Sequence, residues 1–268
     1  MRLLLVSDFH YSLPLFDWVV EIAGDFDVVV MAGDHLDLAS LVDGRAQSVV
    51  VRKYISRLQA KTRLLICSGN HDLDSHNAAG EKVARWLLGS RNKGLLSDGE
   101  SLAVGDTLFT VCPWWDGPVT RNELGEQLAK AAAERQKRWI WIYHAPPAQS
   151  PVSWGGERHF GDTALRQWIE EYTPDIVMSG HVHQAPYVQA GSWVDRIGTT
   201  WIFNTGHYLA TPPAHIIMDT EVGEALWFSA AGNQYVRLEQ PLERPVAKLT
   251  EMPDWLTAGD RSRAQAPG

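Results

Sequence analysis

Side chains that bind metal ions recur along this sequence in short groups separated by apolar runs. The groups read Asp8-Phe9-His10, Gly33-Asp34 with Asp37 close behind, Gly69-Asn70-His71-Asp72, a lone His144, and Gly180-His181-Val182-His183. Carboxylate, imidazole and amide ligands without thiolate suit Mn, Fe, Zn or Co, and they disfavour iron–sulfur chemistry. The pattern therefore predicts a metal centre built from oxygen and nitrogen ligands.

Each group taken alone has an ordinary structural explanation. An Asp or Asn after a strand commonly caps a turn or a helix, and a single His is commonly exposed or hydrogen-bonded. Five groups that each follow a predicted strand are different, because turns alone do not favour histidine so consistently. We therefore interpret the five groups as parts of one site.

The elements that would position these groups are alternating strands and helices. Strand-like apolar runs cover residues 2–7, 27–32, 63–68, 107–112, 139–143 and 175–179. Helical patterns lie between them at 13–23, 45–58, 80–88, 122–138 and 163–172. Such alternation predicts βαβ units with parallel strands, whose carboxyl ends meet at one edge of a sheet and carry ligand sites.

The pattern changes beyond residue 179. Strand-like runs at 200–204, 214–219 and 225–229 follow one another with turn-rich links and no helical spacing, which predicts a second sheet of antiparallel or mixed type. Prolines interrupt every regular pattern beyond residue 240. We expect one domain over residues 1–240 and a C-terminal arm over 241–268 that packs partly and frays at its end.

Composition excludes several classes of protein. Of the 268 residues, 45% are hydrophobic and 21% are charged, so the chain can bury a large core. The net charge of −8 argues against binding of long nucleic acid through its phosphates. No apolar run approaches the roughly 20 residues of a membrane span, and the N-terminus lacks a secretory signal pattern. We expect a cytoplasmic protein in which both cysteines, Cys67 and Cys112, are reduced core residues.

The ordered set D-x-H, G-D, G-N-H-D, a lone His and G-H-x-H resembles the motifs of the calcineurin-like metallophosphoesterase superfamily over residues 8 to 206. The resemblance implies an α/β fold, a four-layer αββα sandwich in which two mixed β-sheets are flanked by helices. It also implies two metal ions: Asp8, His10 and His183 would hold the first, Asn70, His144 and His181 the second, with Asp34 bridging.

The ligand chemistry agrees with two ions. Seven ligands are too many for one tetrahedral ion, and they suit two ions about 3.5 to 4 Å apart that share a carboxylate. We expect Mn or Fe, with Zn as an alternative, in divalent or mixed-valence form. A hydroxide between the ions, its pKa lowered by both, would be the nucleophile that attacks phosphorus.

Further residues in or near the motifs match positions of the superfamily that do not bind metal. His71 resembles the histidine that protonates the leaving oxygen or stabilises its charge. Asp37 resembles the carboxylate that orients this histidine, although a helix or turn cap explains it too. Asp72 is expected to be a loop or cap residue. Asn204 stands where the superfamily often has N-P-G-S, without the Pro and Ser, and His207 is expected to line the cleft.

Aromatic and basic residues near the predicted site have two interpretations each. Trp114, Trp115 and Trp154 lie in Pro/Gly-rich loops, where they either stack on a flat part of a substrate or pack the loops together. Arg121 and Arg158 either contact a phosphate or lie at the surface. The sequence does not decide between these interpretations.

Together these features predict a dinuclear-metal phosphoesterase that hydrolyses a P–O bond of a small phosphate ester. Protein-phosphatase-like members of the superfamily add arginines that hold the charge of a phosphomonoester dianion, whereas residues 33–39 contain none. A phosphodiesterase is therefore favoured over a phosphomonoesterase. A nuclease and a catalytically silent scaffold with the same fold are two further functions that these motifs allow. The sequence carries no signal for an oligomeric state.

Overall fold

The computed structural model of this protein describes residues 1–88 and 95–257. Its helices are α1 (Leu13–Ile22), α2 (Gly44–Gln59), α3 (Arg85–Leu88), α4 (Pro118–Ala133) and α5 (Thr163–Tyr172). Its strands are β1 (Arg2–Val6), β2 (Val28–Ala32), β3 (Arg63–Cys67), β4 (Ser75–His76), β5 (Lys82–Val83), β6 (Leu96–Ser97), β7 (Glu100–Val104), β8 (Thr107–Val111), β9 (Arg138–Ile142), β10 (Ile176–Ser179), β11 (Val194–Ile197), β12 (Thr200–Asn204), β13 (His215–Asp219), β14 (Glu224–Ser229) and β15 (Gly232–Arg237).

Most of these strands form two mixed sheets. The first sheet has the order β15-β14-β13-β1-β2-β3-β6, and the second has the order β11-β12-β10-β9-β8-β7. Strands β1, β2, β3 and β6 are parallel, as are β8, β9, β10 and β12. The remaining strands of both sheets pair antiparallel. In the first sheet the parallel strands extend to the edge at β6, and in the second sheet they form the centre. The predicted site groups follow the carboxyl ends of β1, β2, β3, β9 and β10.

Three buried apolar layers give the molecule four layers of secondary structure. Between the sheets, Leu5 and Val30 of the first sheet share a core with Phe109 of the second. On the outer faces, Val29 packs in the layer of α1 and α2, and Trp141 packs in the layer of α4 and α5. Successive strand residues point to opposite faces, so strands covered on both sides are continuous apolar runs. The predicted four-layer αββα sandwich is confirmed.

Helix α5 illustrates how local sequence sets an element. The Asp162 carboxylate accepts hydrogen bonds from the N–H groups of Ala164 and Leu165, which satisfies donors that the first turn leaves unpaired. Leu165 and Ile169 bury one face against the second sheet. Thr173 then takes a left-handed conformation with φ 47° and ends the helix. The observed bounds are those predicted.

The helix predicted over 80–88 is wrong in its first half. Only Arg85–Leu88 is helical, and Lys82–Val83 forms a short strand that pairs with Ser75–His76. The reason is a long-range contact: the Glu81 carboxylate accepts hydrogen bonds from the N–H groups of Val119 and Thr120, in the first turn of α4. Helix α4 begins at Pro118, earlier than predicted, because of this contact and because proline is favoured at the first position of a helix.

Strands beyond residue 179 do not form a sheet of their own, which corrects the prediction of a separate second sheet there. Strands β11 and β12 extend the second sheet beside β10, while β13, β14 and β15 join the first sheet beside β1. Strand β13 is buried on both faces, since Ile216 lies in the core between the sheets and Ile217 in the α1 layer. This strand is therefore an interior strand of the first sheet.

The described part of the C-terminal arm lies against the first sheet. The N–H of Tyr235 donates to the Ala247 carbonyl, and the N–H of Leu249 donates to the Asn233 carbonyl, alongside β15. The indole N–H of Trp255 donates to Glu224. These contacts cover the exposed edge of the sheet. The division at residue 240 remains a prediction, and residues 258–268, the end predicted to fray, lie outside the described residues.

Cys67 and Cys112 are buried free thiols, as predicted. Within residues 1–88 and 95–257, no helix is long and apolar enough to cross a membrane.

His215 on β13 provides a test of this packing that does not involve the predicted site. Its ring is buried against Phe228 and Trp18, with centroid distances of 5.1 and 4.8 Å, and burial lowers its pKa to about 4. The unfolded chain has an ordinary His pKa near 6.5, so below that pH it binds a proton that the folded protein excludes. The stability that neutral His215 contributes is therefore complete above pH 6.5 and is lost as the pH falls towards 4.

We expect this residue to lower the free energy of unfolding by about 2 kcal/mol between pH 7 and pH 5. His215→Phe keeps the aromatic packing and removes the titration. Urea denaturation of wild type and variant at both pH values should show the variant gaining about 2 kcal/mol relative to wild type at the lower pH. A difference between the two proteins that does not change with pH would contradict the assignment.

Candidate metal centre

The five predicted groups come together at the carboxyl ends of parallel strands from both sheets. Strands β1, β2 and β3 end before the Asp8, Asp34 and Asn70 groups, and β9 and β10 end before His144 and His181. The backbone there is unusual, because Asp8, His10, Asp34 and His181 have positive φ angles of 58°, 43°, 54° and 68°. Non-glycine residues adopt this region rarely, and such residues cluster at functional sites.

Asp8, His10 and His183 form the first ligand group. One ligand atom from each lies within 4.8 Å of the others. Nε2 of His183 is 3.2 Å from Oδ1 of Asp8 and 3.1 Å from Nε2 of His10. The buried Asp8 carboxylate also accepts hydrogen bonds from the Ser7 hydroxyl and from the N–H of His181. Its orientation is thus set by the two strands, β1 and β10, that meet here.

Asp34, His144 and His181 form the second ligand group, again with one atom each within 4.8 Å. Nε2 of His144 is 3.1 Å from Oδ2 of Asp34. Nδ1 of His144 donates to the Ala32 carbonyl over 2.7 Å, so the neutral ring directs its unprotonated Nε2 into the group. This backbone contact fixes the tautomer that a metal ligand needs.

The side chain of Asn70 also fits a metal site. Its Oδ1 is buried and accepts no hydrogen bond from the described residues, which costs free energy unless another group satisfies it. The preceding Gly69 lies against the second group, because a Cβ there would be 2.2 Å from Oδ1 of Asp34 and 2.8 Å from Cδ2 of His144. Only glycine allows this approach.

Asp34 also reaches the first group. Its Oδ2 is 3.8 Å from Nε2 of His10, in addition to the 3.1 Å contact with His144. His10, Asp34 and His71 form a third set of ligand atoms within 4.8 Å. Asp34 thus stands between the two ligand groups, where the resemblance predicts a bridging carboxylate.

Electrostatics favour the ligand forms of most of these side chains. Burial would raise the pKa of Asp34, but the adjacent His144 lowers it to about 2. Burial would also raise the pKa of Asp8. The hydrogen bond and charge of His183 and the charge of His144 hold this pKa well below its usual range. Burial lowers the pKa of His181 to about 4. Both carboxylates are therefore ionised and His181 is neutral, as metal binding requires.

Two histidines depart from this pattern. Burial would lower the pKa of His183, but its hydrogen bond to Asp8 raises it. The other is His144. Burial would lower its pKa, but the Asp34 and Asp8 carboxylates raise it to about 9. A cation binding to Nε2 must replace this proton. The buried carboxylates therefore select a positive charge at this position, and the donor set, oxygen and imidazole nitrogen without sulfur, fits a divalent transition metal.

His71 lies beside Asp34 and faces the site. Its N–H donates to Oδ1 of Asp34 over 2.9 Å, and its ring Nε2 is 4.0 Å from Oδ2 of the same carboxylate. Nδ1 accepts the N–H of Leu38 over 3.4 Å. The neutral ring therefore carries its proton on Nε2, which is the nitrogen nearest to Asp34.

The orienting role predicted for Asp37 stays a prediction. The Asp37 carboxylate accepts the N–H of Ala39 over 2.9 Å, two residues along the chain. Among residues 1–88 and 95–257, no hydrogen bond joins this carboxylate to the His71 ring. The turn-cap interpretation accounts for the Ala39 contact, and the donor that Nδ1 of His71 accepts is the Leu38 N–H.

Other residues near the motifs either hold the loops of the site in place or line the site. The Asp72 carboxylate accepts the N–H groups of three residues, as expected for a loop cap: His35, Leu36 and Gly69. Asn204 is buried and donates to the carbonyls of Val152 and Val182, so it supports the loop between His181 and His183. The His207 ring lies 4.8 Å from His183 and lines the first group, as predicted.

The three loop tryptophans, Trp114, Trp115 and Trp154, lie in two different places. The Trp114 ring lies 5.3 Å from His181, between centroids, and Trp115 lines a pocket beside it. Trp154 packs on His159 at 4.9 Å and donates to the Gln189 carbonyl. The sequence analysis missed Phe160, which completes the pocket. Phe160 directly precedes Gly161 and Asp162, and α5 begins after Asp162. This position beside a predicted helix start could have placed Phe160 near the loops of the site.

Comparison with known proteins agrees with this geometry. The calcineurin-like phosphoesterase family profile matches residues 1–185, a range that includes every residue of the two ligand groups. No curated protein matches the chain significantly.

Similar solved structures include TT1561 of Thermus thermophilus, with 13% identity and a TM-score of 0.57 over 88% of this chain and 98% of that chain. Purple acid phosphatase PPD1 from yellow lupin seeds has 13% identity and a TM-score of 0.54, over 92% of this chain and 53% of that chain. A dimetal phosphatase from Danio rerio has 12% identity and a TM-score of 0.52, over 85% and 95% respectively. These structures share the fold. With the family match over most of its length, this chain belongs to the calcineurin-like phosphoesterase family.

Proposed function

We propose that this protein is a phosphodiesterase that hydrolyses a P–O bond of a small phosphate diester with two bound metal ions. The observation that supports this most directly is the pair of ligand groups that meet at Asp34, one around Asp8 and one around His144. Two adjacent cations can neutralise charge on both the attacking and the leaving oxygen of an in-line displacement. The family supplies the reaction class, and the diester preference is the finer proposal.

We assign the ligands as follows from the distances and the resemblance. The first ion would be held by Asp8, His10 and His183 and the second by Asn70, His144 and His181, with Asp34 contributing to both. Mn or Fe is the favoured metal, with Zn as an alternative. When bound, such ions supply Lewis acidity towards the phosphoryl oxygens and lower the pKa of water at the site.

His71 is assigned the group that protonates the leaving oxygen or stabilises its charge. Its Nε2 proton faces the site, and the Leu38 N–H on Nδ1 holds the ring in that tautomer. A donor with a set tautomer and angle stabilises charge that grows on the leaving oxygen in the transition state.

The diester preference is supported by where positive side chains lie. Arg121 stacks over Trp115 at 6.0 Å and Arg158 over Phe160 at 4.6 Å, so both guanidinium groups are associated with the aromatic pocket. Within the described part of the chain, neither forms an ion pair with Asp8 or Asp34. A monoanionic diester needs less compensating charge than a monoester dianion.

The shared position of Asp34 can be tested by metal content. Asp34→Asn should weaken binding of both ions, because one carboxylate oxygen that contacts both ligand groups becomes a neutral amide. His144→Ala should chiefly empty one site. Metal analysis of purified proteins after dialysis should give near zero ions per chain for the first variant and about one for the second.

Asp37→Asn is the matched control, because the Asn oxygen can still accept the Ala39 N–H; this variant should retain both ions. If Asp34→Asn still held two ions at wild-type affinity, Asp34 would not be shared.

The role of His71 makes a second prediction. His71→Ala should keep both metal ions and lower kcat by about 10²- to 10⁴-fold, the usual effect of losing a general acid. The defect should be smaller for nitrophenolate leaving groups, which need little protonation, than for alkoxide leaving groups.

The exposed His76 offers a control, since His76→Ala should change neither metal content nor rate. An equal loss for good and poor leaving groups, or loss of an ion, would remove His71 from this role.

The diester preference is tested with matched substrates. Methyl 4-nitrophenyl phosphate and 4-nitrophenyl phosphate share a leaving group and differ in charge. With the same metal, kcat/KM should be about tenfold higher for the diester, because its single negative charge needs less compensation by the site than the charge of the dianion. A tenfold preference for the monoester would refute the proposal and make Arg121 and Arg158 the next residues to replace.

A further inference from the structure

A pocket of about 360 Å³ opens beside the second ligand group, with His181 in its lining. Four aromatic residues form its walls, and Asp116 adds a carboxylate: the walls are Trp114, Trp115, Tyr143 and Phe160. Small-molecule sites in proteins commonly enclose about 300 to 1,000 Å³ and are lined by aromatic side chains with few polar groups. The pocket has the size and lining of a ligand site.

Two walls of this pocket are held in place by one carboxylate. Oδ2 of Asp162 accepts the Trp115 indole N–H over 2.7 Å and the Tyr143 hydroxyl over 2.8 Å. Its other oxygen caps α5 through the N–H groups of Ala164 and Leu165. Rings fixed by hydrogen bonds lose little conformational freedom when a ligand binds. The walls formed by Trp115 and Tyr143 are therefore preorganised.

Trp114 connects the pocket to the metal ligands. Its ring is stacked with Tyr143 at an interplanar angle of 19°, and its centroid lies 5.7 Å from His144 and 5.3 Å from His181. A group in the pocket is therefore adjacent to the second ligand group. Stacking on such rings accepts any flat aromatic group, because it depends on the π-face more than on particular hydrogen bonds.

The pocket and His71 border different parts of the site. The His71 ring lies 4.6 Å from His10, whereas the pocket borders His181. Since the proposed function places the leaving oxygen at His71, a group in the pocket is not the leaving group. It is the ester group that stays on phosphorus after hydrolysis, and this step rests on the proposed function.

We infer that the pocket between Trp114, Trp115 and Phe160 selects substrates whose retained ester group is flat and aromatic, with the stacking character of a nucleobase. In the reaction, water adds to phosphorus and the P–O bond to the leaving group breaks. The leaving oxygen takes a proton, and the aromatic group remains as its phosphate monoester.

Two diesters with the same leaving group test this inference. Thymidine 5′-(4-nitrophenyl) phosphate and methyl 4-nitrophenyl phosphate differ only in the retained group. The wild-type protein with Mn should hydrolyse the thymidine ester with at least tenfold higher kcat/KM. Phe160→Leu should lower kcat/KM for the thymidine ester by about 5- to 150-fold, the range for loss of one base–aromatic contact, and leave the methyl ester unchanged.

Phe160 is 42% exposed, so its replacement should not prevent folding. Tyr235→Leu is the matched control, because Tyr235 is also partly exposed under an arginine, with Arg237 at 5.8 Å, and lies on β15 outside the pocket. This variant should have the wild-type kcat/KM for both diesters. Parallel loss on both substrates in Phe160→Leu would show a structural role and overturn the inference.

Calorimetry gives a measurement that does not depend on turnover. Thymidine 5′-monophosphate, the product that would remain in the pocket, should bind at least tenfold more tightly than methyl phosphate, and Phe160→Leu should remove most of that difference. Equal binding of the two phosphates, or equal hydrolysis of the two diesters, overturns the pocket assignment and leaves the phosphodiesterase proposal intact. Hydrolysis of neither diester, with selective nucleotide binding, would instead refute the phosphodiesterase proposal and retain the pocket.

Discussion

The arrangement of this protein depends on the burial of two carboxylates, Asp8 and Asp34, which are 0% and 2% exposed at the ends of adjacent parallel strands. Removing a carboxylate from water costs several kcal/mol unless opposite charge and hydrogen-bond donors compensate. The second sheet supplies that compensation, because His144 and His183 follow its central strands β9 and β10. The two carboxylates are therefore neutralised only when the two sheets pack together.

Much of this arrangement could be predicted from the sequence, because its signals are local. A parallel strand buried on both faces is a continuous apolar run, and the residue types directly after it reveal the site. The observed bounds of β12 and α5 match the predicted ones. The same locality explains why Asp8, Asp34 and His144 could be grouped before any distance was known.

Predictions were wrong where a distant residue decides the outcome. Residues 82–83 are extended because Glu81 binds the start of α4, 38 and 39 positions away. The pairing of β13 with β1 joins residues more than 200 positions apart. At Asp37 the competing group is close in sequence instead, since a turn N–H two residues away donates to its carboxylate. Spacing alone does not reveal such competition.

Asp162 shows how the proposed substrate pocket can vary in this fold without change at the strand ends. As a helix cap it is required by α5, and its second oxygen positions Trp115 and Tyr143. The cap would tolerate Asn or Ser, which leave one acceptor for the helix, but neither provides the charged second oxygen that holds both aromatic walls. The hydrogen bonds of that oxygen go to the pocket, whereas Asp34 contacts the metal-ligand histidines. The proposed metal centre and the proposed substrate pocket therefore rest on separate carboxylates, and the loops around Asp162 can diverge while the residues at the strand ends stay the same.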